Sequence, residues 1–119
     1  MENIYRQRIL ELYSERPNFG ELKDKTHEIT EKHPSCNDEI VIQLKVEGNK
    51  ITDAKFSGKL CFVSMVSAEA LMENIKGMNL EEVKKLSKES IDQFLGTEIT
   101  STRMGCELFP LEALKKIQL

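Results

Sequence analysis

A chain of 119 residues is long enough to bury one hydrophobic core without staples, and it reads as a single domain over residues 1–119. With 31% charged residues and a net charge of −3, it carries no basic excess to draw nucleic acid or an anionic membrane. No apolar run approaches the roughly 18 residues of a membrane span, no signal peptide is read at the start, and three cysteines are an odd number for a secreted disulfide framework. The expectation is a cytoplasmic protein whose thiols bind metal or react.

Residues 2–16 predict an amphipathic helix, with Tyr5, Ile9, Leu12 and Tyr13 at helical spacing. Pro17 ends it, because the residue before a proline is pushed out of helical geometry, and Asn18 and Gly20 supply turn chemistry. Residues 26–32 predict a short strand. The clearest strand follows: Ile40, Ile42, Leu44 and Val46 alternate with Glu39, Val41, Gln43 and Lys45, which makes one face apolar. Glu47 to Lys50 is a turn, and Ile51 to Ser57 pairs back as the second arm of a hairpin. A long helix is expected from Phe62 to about Lys76, with Met65, Ala68, Met72 and Ile75 on its inner face and Gly77 as its stop. Asn79 caps a short helix, another runs from about Ser87 to Leu95 and ends at Gly96, and a final amphipathic helix follows Arg103-Met104-Gly105-Cys106.

The chemistry sits at three places along this order. Cys36 and Asp38, two apart at the hairpin entry, point the same way in extended chain, and Asn37 between them tolerates a left-handed backbone. Cys61 opens the long helix, where aligned dipoles and free N–H groups favour thiolate over thiol. Cys106 lies near the start of the last helix. Three thiols and one carboxylate suit a four-coordinate, sulfur-rich site for zinc or an iron–sulfur cluster. Arg103 would offset the charge of about −2 left by three thiolates and a carboxylate around a divalent metal. The plain alternative is three cysteines packed as small hydrophobes. His27 and His33 are the two imidazoles to weigh as further ligands, His33 because it lies three residues before Cys36.

Taken together, these stretches resemble the iron–sulfur cluster assembly scaffold family, the IscU/NifU-like proteins with their SufU relatives. The resemblance runs through Tyr5-Arg6-Gln7, Tyr13, Pro17-Asn18-Phe19-Gly20, Pro34-Ser35-Cys36-Asn37-Asp38, Asp53-Ala54-Lys55-Phe56, Gly58, Cys61, Ser64, Ser67-Ala68, Lys76-Gly77, Arg103 to Cys106 and Ala113-Leu114. The family usually has glycine in the place of Asn37. IscU-type members carry histidine in the place of Gly105, while Arg103 ahead of the third cysteine is more like the SufU type. The longer insertion usual in SufU-type chains is absent between Cys61 and Cys106, as is the proline-containing chaperone segment of IscU-type scaffolds around Thr100-Ser101-Thr102.

The resemblance implies an α+β fold, a three-stranded antiparallel sheet with helices packed on one face. It implies that Cys36, Asp38, Cys61 and Cys106 converge to hold zinc or iron and, transiently, a 2Fe–2S cluster. A cysteine desulfurase would deliver persulfide sulfur, with Cys36 the expected acceptor and Cys106 the alternative, and recipient apoproteins would take the cluster. The chain is then a scaffold rather than an enzyme. A zinc-dependent sulfurtransferase that never holds a cluster is the runner-up, and a zinc-stabilised structural module a third reading. A homodimer around a shared cluster stays open.

Overall fold

The computed structural model describes residues 3–34, 37–98 and 104–117. Its elements follow the order α1 (Asn3–Glu15), β1 (His27–Lys32), β2 (Glu39–Glu47), β3 (Lys50–Lys59), α2 (Phe62–Ile75), α3 (Leu80–Lys84), α4 (Lys88–Leu95) and α5 (Met104–Lys115). The three strands form one antiparallel sheet in the order β1-β2-β3. Ile40, Ile42 and Leu44 of β2 and Ile51, Ala54 and Phe56 of β3 are fully buried, so one sheet face carries the core beneath the helices.

The alternation in β2 holds with one exception that has a physical cause. Gln43, expected on the polar side, is buried: its amide oxygen accepts the Leu22 N–H at 2.6 Å, and its amide group donates to Glu28 at 2.6 Å. The segment between α1 and β1 folds back over that side of the sheet. It also pairs with the β3 edge, Gly20 N–H to the Phe56 carbonyl at 2.8 Å and Phe56 N–H to the Asn18 carbonyl at 3.0 Å. A buried amide in such a place is stable only because its donor and acceptor capacity is used.

β3 runs two residues past the predicted end, through Gly58. Its φ of +121° suits glycine, and a Cβ there would stand 2.1 Å from the Glu39 carbonyl oxygen. Glycine therefore lets β3 stay paired to β2 down to Glu39 and Lys59, at the sheet end where Asp38 lies.

The long helix corrects a second expectation. α2 does not bury a single stripe: Ser64 to Met72 are buried without interruption, as is Ile75. It packs against α1, α4, α5 and β3, so it is the central rod of the helical layer rather than an amphipathic surface helix. Such a helix must satisfy the polar groups it buries. Glu69 does so with one oxygen: its Oε1 accepts the Asn18 backbone N–H at 2.9 Å and side-chain amide at 3.0 Å, which moors the Pro17–Gly20 turn to the core, while its Oε2 is buried without a hydrogen-bond partner.

Candidate metal centre

Three chain segments end at one corner. The first is the β1–β2 connection: Lys32 pairs with Glu39, and the His33 N–H donates to the Asp38 carbonyl at 2.9 Å, closing the neck of the loop. The second is the start of α2, where Cys61 is the N-cap with extended backbone (φ −67°, ψ 171°) and its sulfur accepts the Ser64 N–H at 3.5 Å. The third is α5. Cys106 was expected before the last helix, but the helix begins at Met104 and holds Cys106 in its first turn.

One ligand atom each from Asp38, Cys61 and Cys106 lies within 4.8 Å of the others. Both cysteines are half-buried. A zinc ion bound at about 2.0–2.3 Å to oxygen and sulfur would draw such donors closer together than this. The donor set itself, two thiols and a carboxylate with solvent access, fits a sulfur-rich divalent or iron site.

Asp38 is held from behind. The Cys61 N–H lies 3.2 Å from each carboxylate oxygen, and the Ser64 hydroxyl donates to Oδ2 at 2.9 Å. These donors orient the carboxylate and leave lone pairs free for a metal. The Ser64 Oγ also lies 3.0 Å from the Cys106 carbonyl. That carbonyl sits four residues before Pro110, inside α5, and proline has no N–H to give it. Ser64 thus stands between all three candidate ligands. One turn on, the Ser67 hydroxyl donates to the Glu107 carbonyl at 2.6 Å and fastens α5 to α2 again.

Beside Cys106, Glu107 is completely buried. Burial pushes its carboxyl up to about 8; the neighbouring Asp92 carboxyl adds to the rise, and Lys88, 3.7 Å away, opposes it. Sequence reading assigned no role to Ser64, Glu107 or Pro110. Ser64 had a signal, its place three residues after an N-cap, where a side chain faces back to the cap.

Of the other predicted residues, Cys36 and Arg103 lie outside the described residues. His27 pairs with Leu44 at the far end of β1, about 17 Å along a six-residue strand from Lys32, and its Nδ1 meets the Thr26 hydroxyl at 2.7 Å. It takes no part. His33 is at the right corner but is not one of the three converging groups. Its ring stands edge-on to Phe109 of α5, with centroids 5.1 Å apart.

The family model described as NifU-like N terminal domain matches residues 4–117. The zinc-dependent sulfurtransferase SufU of Bacillus subtilis is 32% identical over 117 residues, which cover 98% of this chain and 77% of that protein. The iron-sulfur cluster assembly scaffold protein IscU of Thermotoga maritima is 38% identical over 87 residues, 73% of this chain and 61% of that one. Among solved structures, SufU of Fervidobacterium islandicum AW-1 shares the fold, with a TM-score of 0.75 at 24% identity over 90% of each chain.

Proposed function

The chain belongs to the NifU-like N-terminal domain family, and from that membership we propose that it is an iron–sulfur cluster assembly scaffold working with a cysteine desulfurase. Cys36, Asp38, Cys61 and Cys106 are its ligands. The observation that carries this reading is the convergence of Asp38, Cys61 and Cys106 at one corner, on three separate elements, with ligand atoms within 4.8 Å.

In this reading the Cys36 thiolate attacks the terminal sulfur of a desulfurase persulfide, and the desulfurase cysteine leaves as thiolate. The sulfur then sits on Cys36 as a persulfide, with Cys106 the alternative acceptor. Iron bound by the thiolates and Asp38 meets that sulfur, which an external electron donor reduces to bridging sulfide, giving a 2Fe–2S cargo for recipient apoproteins. Thiolates hold iron tightly, whereas a carboxylate is a harder and poorer match to a sulfur-bridged cluster, which makes Asp38 the ligand that gives way on release. The protein acts in the cytoplasm, where thiols stay reduced.

The second reading is a zinc-dependent sulfurtransferase that accepts persulfide and never holds a cluster. Two observations favour it: the 32% identity to a protein so named over nearly the whole chain, and glycine rather than histidine at position 105. Anaerobic reconstitution with iron, cysteine and desulfurase separates the two. The scaffold gives a visible 2Fe–2S chromophore that moves to an apoprotein; tightly held zinc, a persulfidated cysteine and no chromophore would establish the transferase. Mass spectrometry on the same samples tests the acceptor, and persulfide confined to Cys61 would remove Cys36 and Cys106 from that role.

A further inference from the structure

Glu69 is a buried ionisable group that plays no part in the metal corner. It lies in the middle of α2, completely shielded from solvent. Its two oxygens are served unequally. Oε1 accepts both Asn18 donors, at 2.9 and 3.0 Å, whereas Oε2 is buried without a hydrogen-bond partner. A neutral carboxyl leaves one hydroxyl unmatched in such a place; a carboxylate leaves an unsolvated charge, which costs far more.

The element that seals this carboxyl is a surface turn. Asn18 belongs to Pro17–Gly20, whose other residues are exposed or half-buried. Besides Glu69, the turn is tied down by the Lys76 ammonium, which donates to the Asn18 side-chain oxygen at 2.8 Å, by the two backbone bonds to Phe56, and by the Phe19 ring edge-on to Phe56. The chain enters the turn through Arg16 at φ +47°, a left-handed conformation uncommon outside glycine, so its shape depends on what it docks against. Of the charges nearby, Glu73 on α2 raises the proton affinity of Glu69 and Lys76 lowers it. From α1, Arg8 pairs with Glu73 while Arg16 lies over the Tyr13 and Phe19 rings; from β3, Asp53 stands 3.8 Å from Lys76. The ionisable groups of α4 and α5, Lys88, Asp92 and Glu107, gather beside Ser67, about 200° around α2 from Glu69.

We propose that the Glu69–Asn18 contact is a proton-operated latch: with the carboxyl neutral the Pro17–Gly20 turn stays shut over α2, and loss of the proton opens it. Burial, only partly offset by the Asn18 hydrogen bonds, holds the closed carboxyl above its ordinary 4.5, and opening to water returns it to that value. The closed turn therefore binds the proton more tightly than the open one, and rising pH between the two values favours opening. Opening breaks both backbone bonds to Phe56 and leaves the β3 edge unpaired there. None of this depends on the metal-centre reading.

Native-state hydrogen exchange of the full chain, corrected for the intrinsic pH dependence of amide exchange, tests the latch. The Gly20 and Phe56 amides report on the turn, and those of Leu71 and Met72 in α2 on the core. Above about pH 4.5 the opening constant at Gly20 and Phe56 should grow by up to about tenfold per pH unit and level off once Glu69 is ionised. The Glu69 carboxyl carbon resonance should titrate over the same range, and Leu71 and Met72 should stay far better protected throughout. Glu69→Gln keeps the acceptor oxygen but cannot ionise, so it should flatten the response at Gly20 and Phe56. The latch is overturned by protection that stays level while the carboxyl titrates, or that falls equally in Glu69→Gln. A carboxyl that titrates no higher than 4.5, or protection lost only together with Leu71 and Met72, overturns it as well.

Discussion

Replacing Ser64 by alanine tests how the corner is built. The hydroxyl is fully buried and lies 2.9 Å from Asp38 Oδ2 and 3.0 Å from the Cys106 carbonyl. It has one proton to share between them. A hydrogen bond to a charged acceptor contributes about 1.5–3 kcal/mol, and a buried carbonyl that loses its donor costs about 1–3 kcal/mol. Because the proton is shared, the two do not add, and Ser64→Ala should destabilise the metal-free protein by about 2–3 kcal/mol in denaturant unfolding. The same change should weaken zinc about 10- to 100-fold, the usual effect of removing a group that orients a ligand. Pro110→Ala supplies the diagnostic partner, since it returns to α5 an N–H four residues after Cys106. In that background Ser64→Ala should cost about 1 kcal/mol less, a coupling expected of residues that serve one acceptor. A cost for Ser64→Ala below about 0.5 kcal/mol, with zinc affinity within about twofold of wild type, would refute the arrangement.

Gly58→Ala should destabilise by about 2–4 kcal/mol, since its Cβ would collide with the Glu39 backbone and its φ is strained for any other residue; thermal unfolding that leaves the midpoint unchanged would contradict this. Asp38→Ala should slow transfer of a reconstituted cluster to an apoprotein acceptor, followed by its visible dichroism, and a variant that transfers faster than wild type would remove Asp38 from that role. Glu69→Gln should flatten the pH dependence of stability. Burial, only partly offset by the Asn18 hydrogen bonds, raises the Glu69 carboxyl above its ordinary 4.5. The folded state therefore binds this proton more tightly than the unfolded chain, so its contribution is full below pH 4.5 and is lost as pH rises towards the raised value. Denaturant midpoints of wild type and variant across that range should converge in acid and diverge, in favour of glutamine, above it.

The strands were legible because the β2 pattern admits one apolar face, and the caps at Asn79 and the stop at Gly96 announce α3 and α4. Asp38 and Cys61 were legible as candidate ligands for local reasons: a carboxylate at the entry of a strand and a thiol at the entry of a helix are both placed by the elements they begin. What sequence could not give were the residues whose role exists only across elements. Gln43 looks like any outward polar residue of a strand until the Leu22 N–H arrives at its amide. Ser64 and Ser67 look like tolerated small residues of a helix until α5, interrupted by Pro110, lies against them. The full burial of α2 followed the same logic, since its outward side reads as surface unless α1, α4 and α5 are known to cover it. Between the two histidines, the difference was one of strand direction: β1 carries His27 away from the corner and leaves His33 at it.

The manner in which each ligand is mounted bears on how such a site could let its cargo go. Cys61 caps a helix buried almost throughout, and Cys106 rides on a turn tied to that helix by the Ser64 and Ser67 hydroxyls. The backbone that carries each sulfur is therefore fixed by packed helices. Asp38 differs. Its carboxylate has donors of its own, the Cys61 N–H and the Ser64 hydroxyl. Were Asp38 to hold a metal, letting go of it would leave the carboxylate with these hydrogen bonds rather than as an unpaired charge, which would keep the cost of release at that ligand small. Such a corner, with two thiols mounted on packed helices and one carboxylate with hydrogen bonds of its own, would combine tight holding with an exit, which transient assembly requires and a purely structural zinc site does not.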